Sequence, residues 1–266
     1  EDWRYQVRDL LSRYGHAVRV VTWDHRGHGR SDASPIGACT IENLADDMGR
    51  VLDACAVPGP LVLAGHSIGG MTLMALAEQR PDIVARTRGA LFVSTSCGEL
   101  ADVTLGLPEA GALLKAQIPR MLAVRARLLS RPHRRRTPTI ERWVVQRFLF
   151  GHPLRARDAG LVVDQIISCP PATMRGFYED CLRHDRAKAL AAYSAIPTRV
   201  LVGDRDLLTP LSHARAIAAA VGTAGLVIAP GAGHMLPLER DELVTSELAA
   251  LVDRARRRPQ PSTASR

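Results

Sequence analysis

The chain has 266 residues, 46% hydrophobic and 23% charged, ordinary globular values that exclude wholesale disorder and collagen-like or coiled-coil architectures. That length suits one large α/β domain, or a domain with a small insertion, better than two independent domains. No uninterrupted apolar run approaches the roughly 20 residues of a membrane-spanning helix, which argues against a transmembrane segment.

Lysine and arginine number 35 against 27 acidic residues, a formal charge of +8. Only Lys115 and Lys188 are lysines. The arginines are spread along the whole chain and aromatics make up 4%, so no basic surface with interleaved stacking residues emerges, and no nucleic-acid partner is expected. Cys39, Cys55, Cys97, Cys169 and Cys181 are scattered, without CxxC or metal-ligand spacing. They read as small buried hydrophobes in a reducing compartment. The first segment, EDWRYQVRDLLSRYG, is charged and amphipathic with no signal-like apolar region; the expected location is cytoplasmic.

In chain order, the spacing predicts a helix over 2–14 and a strand over Ala17–Trp23, then a helix over 41–56. The strand Leu61–His66 is followed by a helix over 67–79, and a further strand is expected over Leu91–Ser96. After a long interval come the strand Arg199–Asp204, a helix over 210–221, the strand Gly225–Ala229 and a helix over 237–257. Short continuous apolar strands alternating with helices predict an α/β fold, a mostly parallel sheet covered by helices on both faces. The alternation fails between about 108 and 185, where segments such as PEAGALLKAQIPRMLAVRARLLS, TIERWVVQRFLF, DAGLVVDQIIS and MRGFYEDCLRHD are helical and punctuated by proline. This gives a core over 1–107 and 186–257 and a helical cap over 108–185, with Arg131–Pro138 as an exposed linker inside it. A low-complexity tail over 258–266 is expected to be disordered. Arg125, Arg127, Arg131, Arg134, Arg135 and Arg136 read as a solvated cap face in preference to a site for anionic lipid or phosphate.

Gly65-His66-Ser67-Ile68-Gly69-Gly70 follows one predicted strand directly and opens the helix MTLMALAEQ. A serine on so sharp a strand-to-helix turn is held in strained geometry, and glycines two residues before and after it remove side chains that would collide. The Ile68 N–H, in the first helical turn, points where a developing oxyanion would sit. A serine hydroxyl at neutral pH needs a base, itself oriented by an acid. Candidates follow the later strands: Asp204 and Asp206 in GDRDLLTP, and His234 in PGAGHMLP. Both segments begin at a strand's carboxyl end, where parallel sheets collect ligand-handling groups.

With these motifs, and with DHRGHGRSD over 24–32, the chain resembles the α/β-hydrolase superfamily, in its capped, lipase- and esterase-like branch, over nearly its whole length. The resemblance implies Ser67 as nucleophile, His234 as general base and acid, Asp206 rather than Asp204 as the orienting carboxylate, and Ile68 as oxyanion-hole donor. Glu99 and Asp102 occupy an alternative acid location of the superfamily. Arg26 and His28 read as turn-stabilising members of their loop, while His66, His152, His184 and His213 show no partner pattern. Neither cofactor nor metal is implied.

The expected reaction is hydrolysis of a carboxylic ester of a lipophilic small molecule through an acyl-serine intermediate. Perhydrolysis, cofactor-free haloperoxidase activity or carbon–carbon bond hydrolysis could run on the same triad, and a non-catalytic binding module is the reading from a different class. The family's His-Gly segment, which carries the second oxyanion donor, lies upstream of the part matching Glu1–Tyr5. Its strand belongs between those matching Ala17–Trp23 and Leu61–His66. The resemblance therefore implies a sheet opened at that point, and an expectation that these 266 residues by themselves are weakly active.

Overall fold

The computed structural model describes residues 2–55, 59–105, 117, 120, 139–153 and 155–257. At its centre lies a sheet with the spatial order β1 (Leu61–His66), β2 (Thr87–Val93), β3 (Thr198–Gly203) and β4 (Gly225–Ala229). Every neighbouring pair is parallel. Leu63 faces Ala90, Phe92 faces Val200 and Leu201 faces Val227 across the ladders.

Side chains alternate across a strand, so successive residues of β2 and β3 feed two different cores. Phe92 and Val200 enter a cluster with Ile41, Met48, Leu73, Met74 and Ile217. Leu91, Val93 and Leu201 enter the opposite one with Leu10, Val244, Leu248 and Leu251. The first core is roofed by α2 (Ile41–Cys55), α3 (Ile68–Gln79) and a helix over Leu211–Val221; the second by α1 (Arg4–Tyr14) and a helix over Asp241–Arg257. Burying each such Leu, Ile or Phe contributes roughly 1.5–3 kcal/mol.

The helices follow from local rules. In α2, Ile41, Leu44, Ala45, Met48 and Leu52 recur at helical spacing and are buried. Its first turn is capped by the Thr40 hydroxyl, which accepts the Asn43 amide at 3.2 Å. The short α4 (Pro81–Arg86) starts on a proline, whose missing N–H has no helical partner to lose. Between β2 and β3 the described segments are α5 (Thr139–Phe148), α6 (Ala156–Ser168) and α7 (Pro171–Arg183). The later helices are α8 (Leu211–Val221), α9 (Leu236–Glu239) and α10 (Asp241–Arg257). The expected helix over 237–257 is thus two helices, broken at Arg240.

One predicted strand is absent. Ala17–Trp23 is extended at Val18 but joins no ladder among the described residues, where β1 forms an edge of the sheet. β-branched residues give a segment propensity, but a strand also needs a neighbour's free N–H and C=O groups. Val20 and Trp23 instead pack against the two apolar clusters. The third strand also begins earlier than expected and ends at Val93, not Ser96. The helical stretch expected over 108–130, apart from residues 117 and 120, the linker Arg131–Pro138, the arginines Arg125 to Arg136 and the tail 258–266 lie outside the described residues. Among the described residues, no helix is long and apolar enough to cross a membrane.

Candidate active site

β1 runs into α3 through a single residue, Ser67, whose φ of 52° and ψ of −121° lie in a region that residues with a Cβ rarely occupy. Such a conformation costs on the order of 1–3 kcal/mol and persists only where its surroundings enforce it. The end of β2 does so: the Ser67 amide donates to the Val93 carbonyl at 3.0 Å, and the Thr95 hydroxyl donates to the Ser67 carbonyl at 2.6 Å. A Cβ on Gly65 would overlap the backbone of Gly69 and Gly70, as the sequence implied. The second expected constraint moves by one residue. A Cβ on Gly69 would meet nothing within 4 Å, whereas one on Gly70 would overlap Thr95.

His234 and Asp206 arrive from the carboxyl ends of β4 and β3. The His234 Nε2 lies 2.9 Å from the Ser67 Oγ, and its Nδ1 lies 3.0 and 3.1 Å from the two Asp206 oxygens. With the Nδ1–H donating to the carboxylate, Nε2 presents a lone pair to the serine hydroxyl. Asp206 also accepts the Leu208 and Thr209 amides, each at 2.9 Å, and the Thr209 hydroxyl at 2.8 Å. Asp206 and His234 are both buried. The Ile68 N–H sits in the first turn of α3, where the helix offers no intrahelical acceptor.

Electrostatics follow from this packing. Burial is the largest influence on Asp206 and works to raise its pKa, but the His234 charge and hydrogen bond, with the Thr209 donors, hold it below the ordinary carboxylate value. Burial likewise works to lower the His234 pKa, and the Asp206 charge and bond outweigh it, so the imidazole is more basic than usual. Glu239 and Asp2 add to that effect. Chemically, the arrangement can withdraw a proton from a hydroxyl and hold the resulting imidazolium against a buried carboxylate.

Other candidates take different places. Asp204 accepts the Gly231 amide at 2.7 Å. Glu99 and Asp102 are exposed. Arg26 forms a two-pronged pair with Asp47, at 2.7 Å on each prong, and His28 bonds the Arg26 carbonyl at 3.1 Å, consistent with turn-holding roles. Three histidines without a partner pattern in the sequence have partners in space. The His66 Nε2 meets the His234 carbonyl at 2.9 Å, the His213 Nδ1 meets the Ser96 hydroxyl at 2.8 Å, and Arg186 donates to the His184 Nδ1 at 3.1 Å. Each partner is remote in sequence or lacks a spacing signal. Thr95, Thr209 and Glu239 were not foreseen; Thr209 stood inside the motif GDRDLLTP, while Thr95 and Glu239 stood in a predicted strand and a predicted helix with nothing to mark them. Among the described residues, no group of three His, Cys, Asp or Glu side chains is arranged to hold a metal ion.

The chain belongs to the alpha/beta hydrolase family, whose model matches residues 1–247. A Caulobacter sp. (strain K31) protein carrying the name carbamate hydrolase RutD is 28% identical over 239 residues, 87% of this chain and 78% of that one. The structure of a thermophilic esterase from Thermogutta terrifontis, 25% identical, superposes with a TM-score of 0.72 over 96% of this chain and 85% of the esterase. An enol-lactonase from Burkholderia xenovorans LB400, 23% identical, shares the fold at a TM-score of 0.72, over 95% of this chain and 86% of the lactonase. The protein is an enzyme of the hydrolase class.

Proposed function

We propose that this hydrolase cleaves a carboxylic ester of a lipophilic small molecule through an acyl-serine intermediate, with Ser67, His234 and Asp206 as its triad. The observation that carries the reading is the unbroken chain of contacts from the Ser67 Oγ through both ring nitrogens of His234 to the Asp206 carboxylate. As the hydroxyl attacks the acyl carbon, His234 takes its proton through Nε2, and the charge that builds on the carbonyl oxygen is held by the Ile68 N–H at the positive end of α3. The carbonyl re-forms, the C–O bond to the alcohol breaks, and His234 returns the proton to the leaving oxygen. Water then repeats the sequence on the acyl-serine and releases the acid.

Residues 108–185 act as a cap in this reading. The apolar side chains of its described part, including Val145, Phe150, Val162 and Val163, pack with Met235 and Leu238 and so seat the cap beside the loop that carries His234. The esterase from Thermogutta terrifontis, similar across 96% of this chain, agrees with an ester. The Caulobacter relative favours a second reading, a carbamate, whose carbonyl the same machinery would attack.

The test is labelling with a fluorophosphonate probe, followed by rates on a panel of p-nitrophenyl esters of increasing acyl length and an aryl carbamate. Labelling at Ser67 that disappears in Ser67→Ala, with ester turnover exceeding carbamate turnover, is expected. A folded wild-type protein that does not label overturns the triad, and a preference for the carbamate replaces the ester.

A further inference from the structure

Glu239 closes α9 as a buried side chain. Its Oε2 accepts two backbone amides from separate parts of the chain, Gly151 at 2.7 Å and Gly233 at 2.9 Å. Gly233 immediately precedes His234, and Gly151 lies just past α5, in the segment inserted between β2 and β3. Around this carboxylate the two stretches touch backbone to backbone. The His234 and Met235 amides donate to the Leu149 carbonyl at 2.9 and 3.1 Å, and the His152 amide donates to the Gly231 carbonyl at 2.7 Å. A Cβ on Gly151 would overlap the Gly231 carbonyl, and one on Gly233 would overlap the Phe150 and Gly151 backbone. Met235 and Leu238 complete the joint by packing with Val145, Phe150, Val162 and Val163.

Holding a loop by two amides does not require a charge, and a buried charge is costly. Burial dominates at Glu239 and leaves its pKa above the usual value in spite of the Gly233 and Gly151 amides and the nearby Arg240. Its Oε1 is buried with no hydrogen-bond partner. An uncharged acceptor would clamp the loop at lower cost, so the position calls for a function that uses the negative charge.

We propose that Glu239 is a positioning residue for the reaction: through Gly233 and Gly151 it couples the aim of His234 at Ser67 to the inserted helices, and its charge sustains the imidazolium formed in the proton transfer. This rests on the triad reading above. The other groups facing His234 are Asp206 and Thr209 from the loop after β3, Asp2 ahead of α1, and the His66 ring at the end of β1, whose centroid lies 5.1 Å away. Of these, Asp2 also reaches the inserted segment, through a side-chain hydrogen bond to Gln165 in α6; Glu239 differs in gripping the backbone of the His234 loop itself.

The experiment measures the rate of fluorophosphonate labelling of Ser67 against pH in the wild type, Glu239→Gln and Glu239→Ala, with thermal unfolding of each. The carboxamide oxygen of Glu239→Gln retains an acceptor for both amides but carries no charge. Its alkaline plateau is expected to stay near the wild-type value, while its acid limb moves roughly half a unit to lower pH. Glu239→Ala also loses the tie, and its plateau should fall roughly 10–100-fold, the scale expected when a reacting group is misplaced by about 1 Å. If Glu239→Ala does not fold, Glu239→Gln decides. An acid limb in Glu239→Gln that coincides with that of the wild type overturns the proposal. A wild type that does not label at Ser67 sinks the triad itself, a failure distinct from the first.

Discussion

Asp204 and Asp206 are two residues apart after β3, yet they serve different partners: Asp204 accepts the Gly231 amide at 2.7 Å, while Asp206 meets the His234 Nδ1 at 3.0 Å. Asp204→Asn retains an oxygen for Gly231 and is expected to leave turnover close to wild type. Asp206→Asn removes the charge that orients and stabilises the imidazole, and kcat should fall on the order of 10⁴-fold. Steady-state kinetics on a p-nitrophenyl ester separates the two, and equal losses would reassign the acid.

The rate should depend on pH through His234. Its pKa is raised above 6.5, and only the neutral ring can accept the Ser67 proton. The acid limb of kcat/KM is therefore expected to have its midpoint above pH 6.5 and to fall as pH drops. A midpoint below that value would show burial outweighing Asp206.

The two glycines flanking Ser67 should tolerate alanine unequally. Gly65→Ala drives a methyl group into the backbone of Gly69 and Gly70, which should cost roughly 1–3 kcal/mol and lower Ser67 labelling sharply. Gly69→Ala meets open space inside α3 and is expected to be neutral or slightly stabilising. Denaturant unfolding with probe labelling reads both.

A second titration should govern acid stability. His184 is buried, and burial together with the Arg186 charge pushes its pKa down to about 4. The unfolded chain takes up a proton near pH 6.5, which the folded form resists until about pH 4. Between those values stability falls as pH falls, by about 2–3 kcal/mol from this residue. His184→Gln, which keeps an acceptor for Arg186, should flatten that part of the profile of unfolding free energy against pH.

How far the sequence revealed the molecule can be judged residue by residue. The strand ending at His66 and the helix opening at Ile68 were legible because a continuous apolar run meets a glycine-rich turn. Asp206 and His234 stood out as candidates because each follows a strand's end, but Asp204 does so too, and only the family resemblance favoured Asp206 over it. Ala17–Trp23 misled for a physical reason: its composition is that of a strand, but pairing depends on what lies beside it, which composition does not encode. The Gly69 expectation failed similarly, since the crowding comes from Thr95, 26 residues beyond it in the chain. Glu239 was invisible because nothing local distinguishes it from a surface acid such as Glu242; its burial is created by segments near Gly151 and Gly233.

The grip on Ser67 of the Val93 carbonyl and the Thr95 hydroxyl at the end of β2, with the first-turn amides of α3, anchors its hydroxyl at the strand-to-helix junction, whereas the loop carrying the imidazole hangs partly from the insertion. The two ends of the proposed proton relay thus have separate moorings. Grafting a foreign insertion onto this sheet should leave the serine's strain intact while altering the ring that deprotonates it, so substrate range and basicity would shift together when the chain is redesigned.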